Sequence, residues 1–195
     1  MGYSPLKQKK RLLAAALLLS SLFWMCTINL KKMALGNYVN RDILGITELE
    51  TAAWENYQAV VGENYTGNNA VLTALKNDVI PIYERFVYLL KRIQPDDSEL
   101  SQIHAIYVRG ANTVLNGFRV KMAGLENQNE EMIVAGNQQI LKGAEETYQW
   151  REQLLALFDT CNVTAMKKKE RTTLDKIYQF LLTWDAATVG APVTP

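Results

Sequence analysis

The chain has little of what most catalytic and metal-binding chemistry requires. Of its 195 residues one is histidine and two are cysteine, which excludes any site built on two imidazoles and any disulfide-stapled miniprotein. No CxxC pair, CxxCH haem attachment, GxSxG elbow or phosphate-binding GxxxxGK loop occurs. A carboxylate-bridged metal pair in a helical bundle needs a Glu-x-x-His on each of two helices, but the acid nearest upstream of His104 is Glu99, five residues away. Glycine and proline number 11 and 5, too few for a collagen-like or low-complexity chain. These absences point to a non-enzymatic protein without a cofactor. The apolar fraction of 48% and the length are those of a globular chain with a real core.

Acid is missing altogether from residues 1–36, which carry Lys7, Lys9, Lys10, Arg11, Lys31 and Lys32. Between the two basic clusters lies an uncharged apolar run over 12–30, LLAAALLLSSLFWMCTINL. As a helix it would be about 28 Å long, close to the hydrocarbon thickness of a bilayer. Four positive charges before it and two after it favour an amino terminus held in the cytoplasm and an exported remainder. The segment reads as an uncleaved membrane anchor. Its alternatives are a lipoprotein signal acylated at Cys26, where Trp24 and Met25 replace the small residues a lipobox wants, and a signal peptide cleaved at Ala34-Leu35-Gly36. Each places the body outside the cytoplasm, periplasmic or at the cell surface.

The body, 37–159, carries 10 basic and 17 acidic side chains. Its pattern is helical throughout. Leu72, Leu75, Val79, Ile82, Phe86, Leu89 and Ile93 recur at alternating spacings of three and four. Val108, Ala111, Leu115, Phe118, Met122 and Leu125 repeat the pattern, as do Ile133, Gly136, Ile140, Gly143, Thr147, Trp150, Leu154 and Leu157. A looser seam runs from Ile43 through Ile46, Leu49, Ala53 and Tyr57 to Val60. Asn69 reads as the cap of the second helix, and Asp96 with Glu99 as a capping box for the third. Short connections make successive helices antiparallel. The expected architecture is all-α: an elongated, coiled-coil-like antiparallel four-helix bundle, preceded by the anchor or signal segment. A shorter fifth helix is expected near 165–185, within a basic carboxyl-terminal region, 160–195, that ends in a frayed tail.

Gly110, Gly117 and Gly124 recur every seven residues in the third helix, and Gly136 and Gly143 in the fourth. Five interior helical glycines cost on the order of 4–5 kcal/mol relative to alanine, so a compensating close approach of two backbones is expected. A fold-back centred on Glu130 would set Gly124 against Gly136, Gly117 against Gly143 and Gly110 against Trp150.

Pro81 interrupts the second seam and frees the carbonyl of Asn77. With Tyr83, Tyr107 and Tyr148 it outlines a candidate ligand pocket. The run Lys167, Lys168, Lys169 and Arg171 is a candidate contact patch on an otherwise acidic protein, and without interleaved aromatics it does not suggest nucleic acid. The sequence therefore suggests a membrane-tethered, extracytoplasmic scaffold that binds another protein through a helical face. A small-ligand sensor or carrier with its pocket near Pro81 is the alternative.

Overall fold

The structure is a computed structural model that describes residues 29–161. Those residues are all-helical, with no strand among them, and form a helical bundle. Helix α1 spans 29–58, with a π-helical turn at Tyr38–Ile43 leading into Leu44–Gln58. Helix α2 spans 68–90 as Asn68–Ala74, a π-helical turn at Leu75–Val79, and Ile80–Leu90. Helices α3, Ser98–Glu126, and α4, Glu130–Thr160, are unbroken. At 29 and 31 residues they extend roughly 44 and 47 Å. Contacts at Lys31–Glu99, Tyr38–His104 and Tyr57–Lys121 climb both helices together, so α1 runs parallel to α3. Both ends of the described chain therefore lie at one end of the body, with Lys31 near Cys161.

The helix starts differ from expectation by a residue or two. Asp97 rather than Asp96 caps α3, its carboxylate accepting the Leu100 amide at 2.9 Å. Gly67, at φ 138, precedes α2 where Asn69 was expected to cap. Asn129 caps α4 by accepting the Met132 amide at 3.0 Å.

The π-helical turn in α2 explains a larger difference. The Ile80 amide reaches back five residues to the Leu75 carbonyl, so one extra residue enters the helix and its apolar phase slips by one position. Beyond the slip the buried residues are Ile80, Tyr83, Phe86, Val87 and Leu90. The expected seam residues Ile82, Leu89 and Ile93 pack half-buried at the edge of the core. The same turn absorbs Pro81. Both Pro81 and Asn77, whose carbonyl it frees, are exposed, which turns that end of the seam outward rather than into a pocket.

Helices α3 and α4 form the expected tight hairpin, in a different register. The turn is centred on Gln128, at φ 53. The Asn129 amide returns to the Gly124 carbonyl at 2.8 Å and the Gln128 amide to Leu125 at 3.3 Å, the paired bonds that close a helix through a left-handed residue. Moving the centre from Glu130 to Gln128 shifts each facing partner by four residues, about one helical turn. Gly117 lies against the backbone of Gly136 and Ile140, and Gly110 against Gly143 and Thr147. Gly124 meets Met132 and Ile133. A methyl group at Gly117 would sit 2.7 Å from the Ile140 amide nitrogen, and one at Gly143 2.6 Å from the Gly110 oxygen. The glycines are therefore necessary at this helix separation, and the contact they permit offsets their low helix propensity.

Candidate functional site

The interface of α1 with α3 and α4 is a core of large aromatic side chains threaded by polar groups. The first group forms around the π-helical turn of α1, which brings Tyr38 inward. His104 Nε2 lies 3.2 Å from the Leu90 carbonyl. A carbonyl only accepts, so that nitrogen carries the hydrogen and Nδ1 accepts from the Tyr38 hydroxyl at 3.0 Å. The Tyr38 oxygen in turn accepts the Trp150 indole N–H at 3.1 Å. Every polar atom of this chain is satisfied with a neutral imidazole, and burial lowers the His104 pKa. His104 is thus a satisfied core residue.

About three turns further along α1, Glu50 is buried among aromatic residues. Tyr107 donates to its Oε2 at 2.5 Å and stacks on Trp150 with ring centroids 3.9 Å apart and planes 15° from parallel. Burial pushes the Glu50 carboxyl up to about 7, against the lowering effect of the Tyr107 hydrogen bond. The Tyr83 hydroxyl is enclosed nearby with no hydrogen-bond partner among the described residues. Burial first, and the Glu50 charge second, hold its pKa well above the usual range.

Two turns beyond Glu50, Lys121 donates to the Tyr57 hydroxyl at 2.9 Å and lies 5.2 Å from that ring's centroid. Burial lowers its pKa to about 8. Trp54, Tyr57, Tyr83 and Phe118 fill the space between these groups in edge-to-face contacts with centroids 4.9–6.2 Å apart. Burial thus moves both titratable groups towards neutral pH, Glu50 upward and Lys121 downward.

Of the four expected pocket residues, the structure brings Tyr83 and Tyr107 together around Glu50. It leaves Pro81 on the surface and Tyr148 half-buried on α4, beneath the Arg151 guanidinium at 6.0 Å. An open cleft of about 460 Å³ lies elsewhere, at the α2–α3 connection, lined by Lys91, Ile93, Gln94, Pro95, Ser101 and His104 among others. None of the four lines it. Glu50 and Lys121 were not among the expected site residues. Glu50 falls between Ile46 and Ala53 on one helical face, and Lys121 between Phe118 and Leu125 on another, each a charge in an apolar stripe.

Cys26, Lys167, Lys168, Lys169 and Arg171 lie outside the described residues, as do almost all of the apolar run over 12–30 and the helix expected near 165–185. Among the described residues no helix is long and apolar enough to cross a membrane, and no group of three His, Cys, Asp or Glu is placed to hold a metal ion. Comparison of the chain with protein-family models, with curated proteins and with solved structures returned no match.

Proposed function

We propose that the protein is a membrane-tethered, extracytoplasmic scaffold: an elongated antiparallel four-helix bundle with a shorter carboxyl-terminal helix, held at the bilayer by an uncleaved amino-terminal anchor. The observation that carries this reading is the way α1 begins. The apolar run over 12–30 ends on the first residues of a helix whose Leu35 is completely buried in the core and whose Lys31 is ion-paired with Glu99. Cleavage at Ala34-Leu35-Gly36 would remove both, so the helix is better suited to continue the span than to be severed from it. Leu30 and Met33, at this same end, are 62% and 66% exposed, a natural disposition for residues entering an interfacial zone.

The scaffold reading draws support from the core. Tyr83 and Tyr107 are consumed in packing around Glu50, so the residues best suited to bind a ligand serve the interior and the outer helical faces remain for a protein partner. A carrier is the second reading, favoured by the cleft beside His104. The two differ in a direct test. A scaffold retains a crosslinked protein partner in its native membrane when Ser101→Trp fills the cleft. A carrier shows a ligand-dependent rise in unfolding temperature that Ser101→Trp abolishes, and that result would overturn the scaffold reading.

A further inference from the structure

The two ends of the body differ in charge and in exposed apolar surface. Helix α1 starts, and α2 and α4 stop, at one end, where Lys31 pairs with Glu99 and His104 reaches the Leu90 carbonyl. Residues 29–35, 88–99 and 157–161 make up this end and carry Lys31, Lys32, Lys91 and Arg92. Of the four acids there, Glu99 is paired with Lys31 and Asp97 caps α3, which leaves Asp96 and Asp159. Lys32 and Lys91 form no ion pair among the described residues. Residues 59–78 and 122–135 make up the opposite end, and there Lys76 stands alone against Glu63, Asp78, Glu126, Glu130 and Glu131. The less acidic end also exposes Leu30, Met33 and, at 58%, Tyr88. Arg92 lies over the Tyr88 ring, 5.5 Å from its centroid, and donates to the hydroxyl at 2.7 Å. A water-exposed aromatic ring beside a guanidinium is an amphipathic pair suited to the level where hydrocarbon meets headgroups.

We propose that the last turn of α2 and the connection after it, with Tyr88, Lys91 and Arg92, rest on phospholipid headgroups as a second membrane contact beside the anchor, an inference that rests on the anchored reading above. Exposed Leu30 and Met33 would follow from any span that ends at residue 30. Tyr88 and Arg92 would not, since they belong to a different helix and reach this end only because α2 runs back towards the start of α1. Lys32, Lys91 and Arg92 supply cations for lipid phosphates, and the Arg92 fork matches phosphate oxygens. Leu30, Met33 and the Tyr88 ring supply the apolar part of the contact. The acidic end points away from the negatively charged surface, so charge and apolar exposure favour the same upright orientation of the bundle.

The test uses the full-length chain with Tyr88→p-benzoylphenylalanine, reconstituted in liposomes of phosphatidylcholine and phosphatidylglycerol, irradiated and mapped by mass spectrometry for phospholipid adducts. Alkaline carbonate extraction of the same liposomes reports whether the chain is held in the bilayer. Tyr65→p-benzoylphenylalanine, exposed at the opposite end, is the comparison. The proposal predicts a retained chain with roughly tenfold more adduct at position 88 than at position 65, and a roughly fivefold loss at 88 when Lys32→Glu and Lys91→Glu are added. A retained chain with equal adduct at the two positions, or adduct at 88 that charge reversal leaves unchanged, would overturn the proposal while the anchor stands. A chain released by carbonate would overturn the anchored reading, and the proposal with it. Gln94→p-benzoylphenylalanine, exposed in the same connection, gives the same readout should the first variant fail to fold.

Discussion

The hydroxyl of Tyr107 donates to the buried carboxylate of Glu50 at 2.5 Å, joining α3 to α1 across fifty-seven residues of sequence. The bond does not offset the loss of water around the acid, and burial leaves its pKa near 7 rather than 4.5. The native state thus holds a proton that the unfolded chain releases between those values. Stability from this group is fully present below pH 4.5 and lost as pH rises through 7, a change of about 3 kcal/mol. Glu50→Gln keeps an acceptor for Tyr107 and removes the titration. Urea unfolding at pH 5 and pH 8 should show the variant close to wild type at the lower pH and more stable by up to about 3 kcal/mol at the higher. An unchanged difference between the two would show that Glu50 does not titrate there.

Lys121 behaves in the opposite sense. Its pKa, lowered to about 8 by burial, means that below pH 8 the folded protein carries a buried ammonium at a cost of roughly 3 kcal/mol, a cost that fades as pH rises from 8 to 10.5. Lys121→Met should therefore raise stability at pH 7, less the contribution of the Tyr57 hydrogen bond, and its advantage should shrink towards pH 10.5. Chemical unfolding across this range checks both the sign and the window.

Two glycines separate the hairpin from ordinary helix propensity. Gly45, within α1, has open space around it, whereas Gly117 faces the α4 backbone. Gly45→Ala should stabilise the protein by about 0.5–1 kcal/mol. Gly117→Ala, the same chemical change, should destabilise it by about 1–3 kcal/mol through overpacking. Thermal unfolding of the pair reads the difference, and equal shifts would contradict the close approach.

The Trp150–Tyr38–His104 chain has direction, because only a neutral imidazole can accept from Tyr38 while donating to Leu90. Protonating His104 would turn Nδ1 into a donor and deprive the Tyr38 hydroxyl hydrogen of its acceptor. With the folded pKa lowered, stability from this residue is present above pH 6.5 and lost as pH falls below it. Tyr38→Phe strands two buried polar groups and should cost about 1–3 kcal/mol, while Tyr88→Phe, on the exposed face of α2, should cost almost nothing. Denaturant melts of the two variants at pH 7.5 provide the comparison.

The helical nature of the body was legible because apolar spacing reports a 3.6-residue period directly. The tight hairpin was legible because five glycines at heptad intervals have no local reason to be there. Its register was not. A two-residue error in the turn centre moves each facing partner by four, about one helical turn, so Gly117 passes from Gly143 to the space between Gly136 and Ile140. The π-helical turn at Leu75–Val79 was equally hidden, and with it the exchange of Ile82 and Leu89 for Tyr83 and Leu90 in the core. The polar core was half visible. Glu50 and Lys121 went unread although each is a charge within an apolar stripe, and which tyrosine each meets depends on helix pairing that no single stripe encodes.

The tethered arrangement is tested most directly by protease digestion of sealed, right-side-out membranes containing the full-length protein, followed by mass spectrometry of what remains. An uncleaved anchor with an external body predicts loss of peptides from the bundle and a protected fragment that begins at Met1 and includes residues 12–30. A protected, intact body, or a mature chain beginning at Cys26 or Asn37, would contradict it.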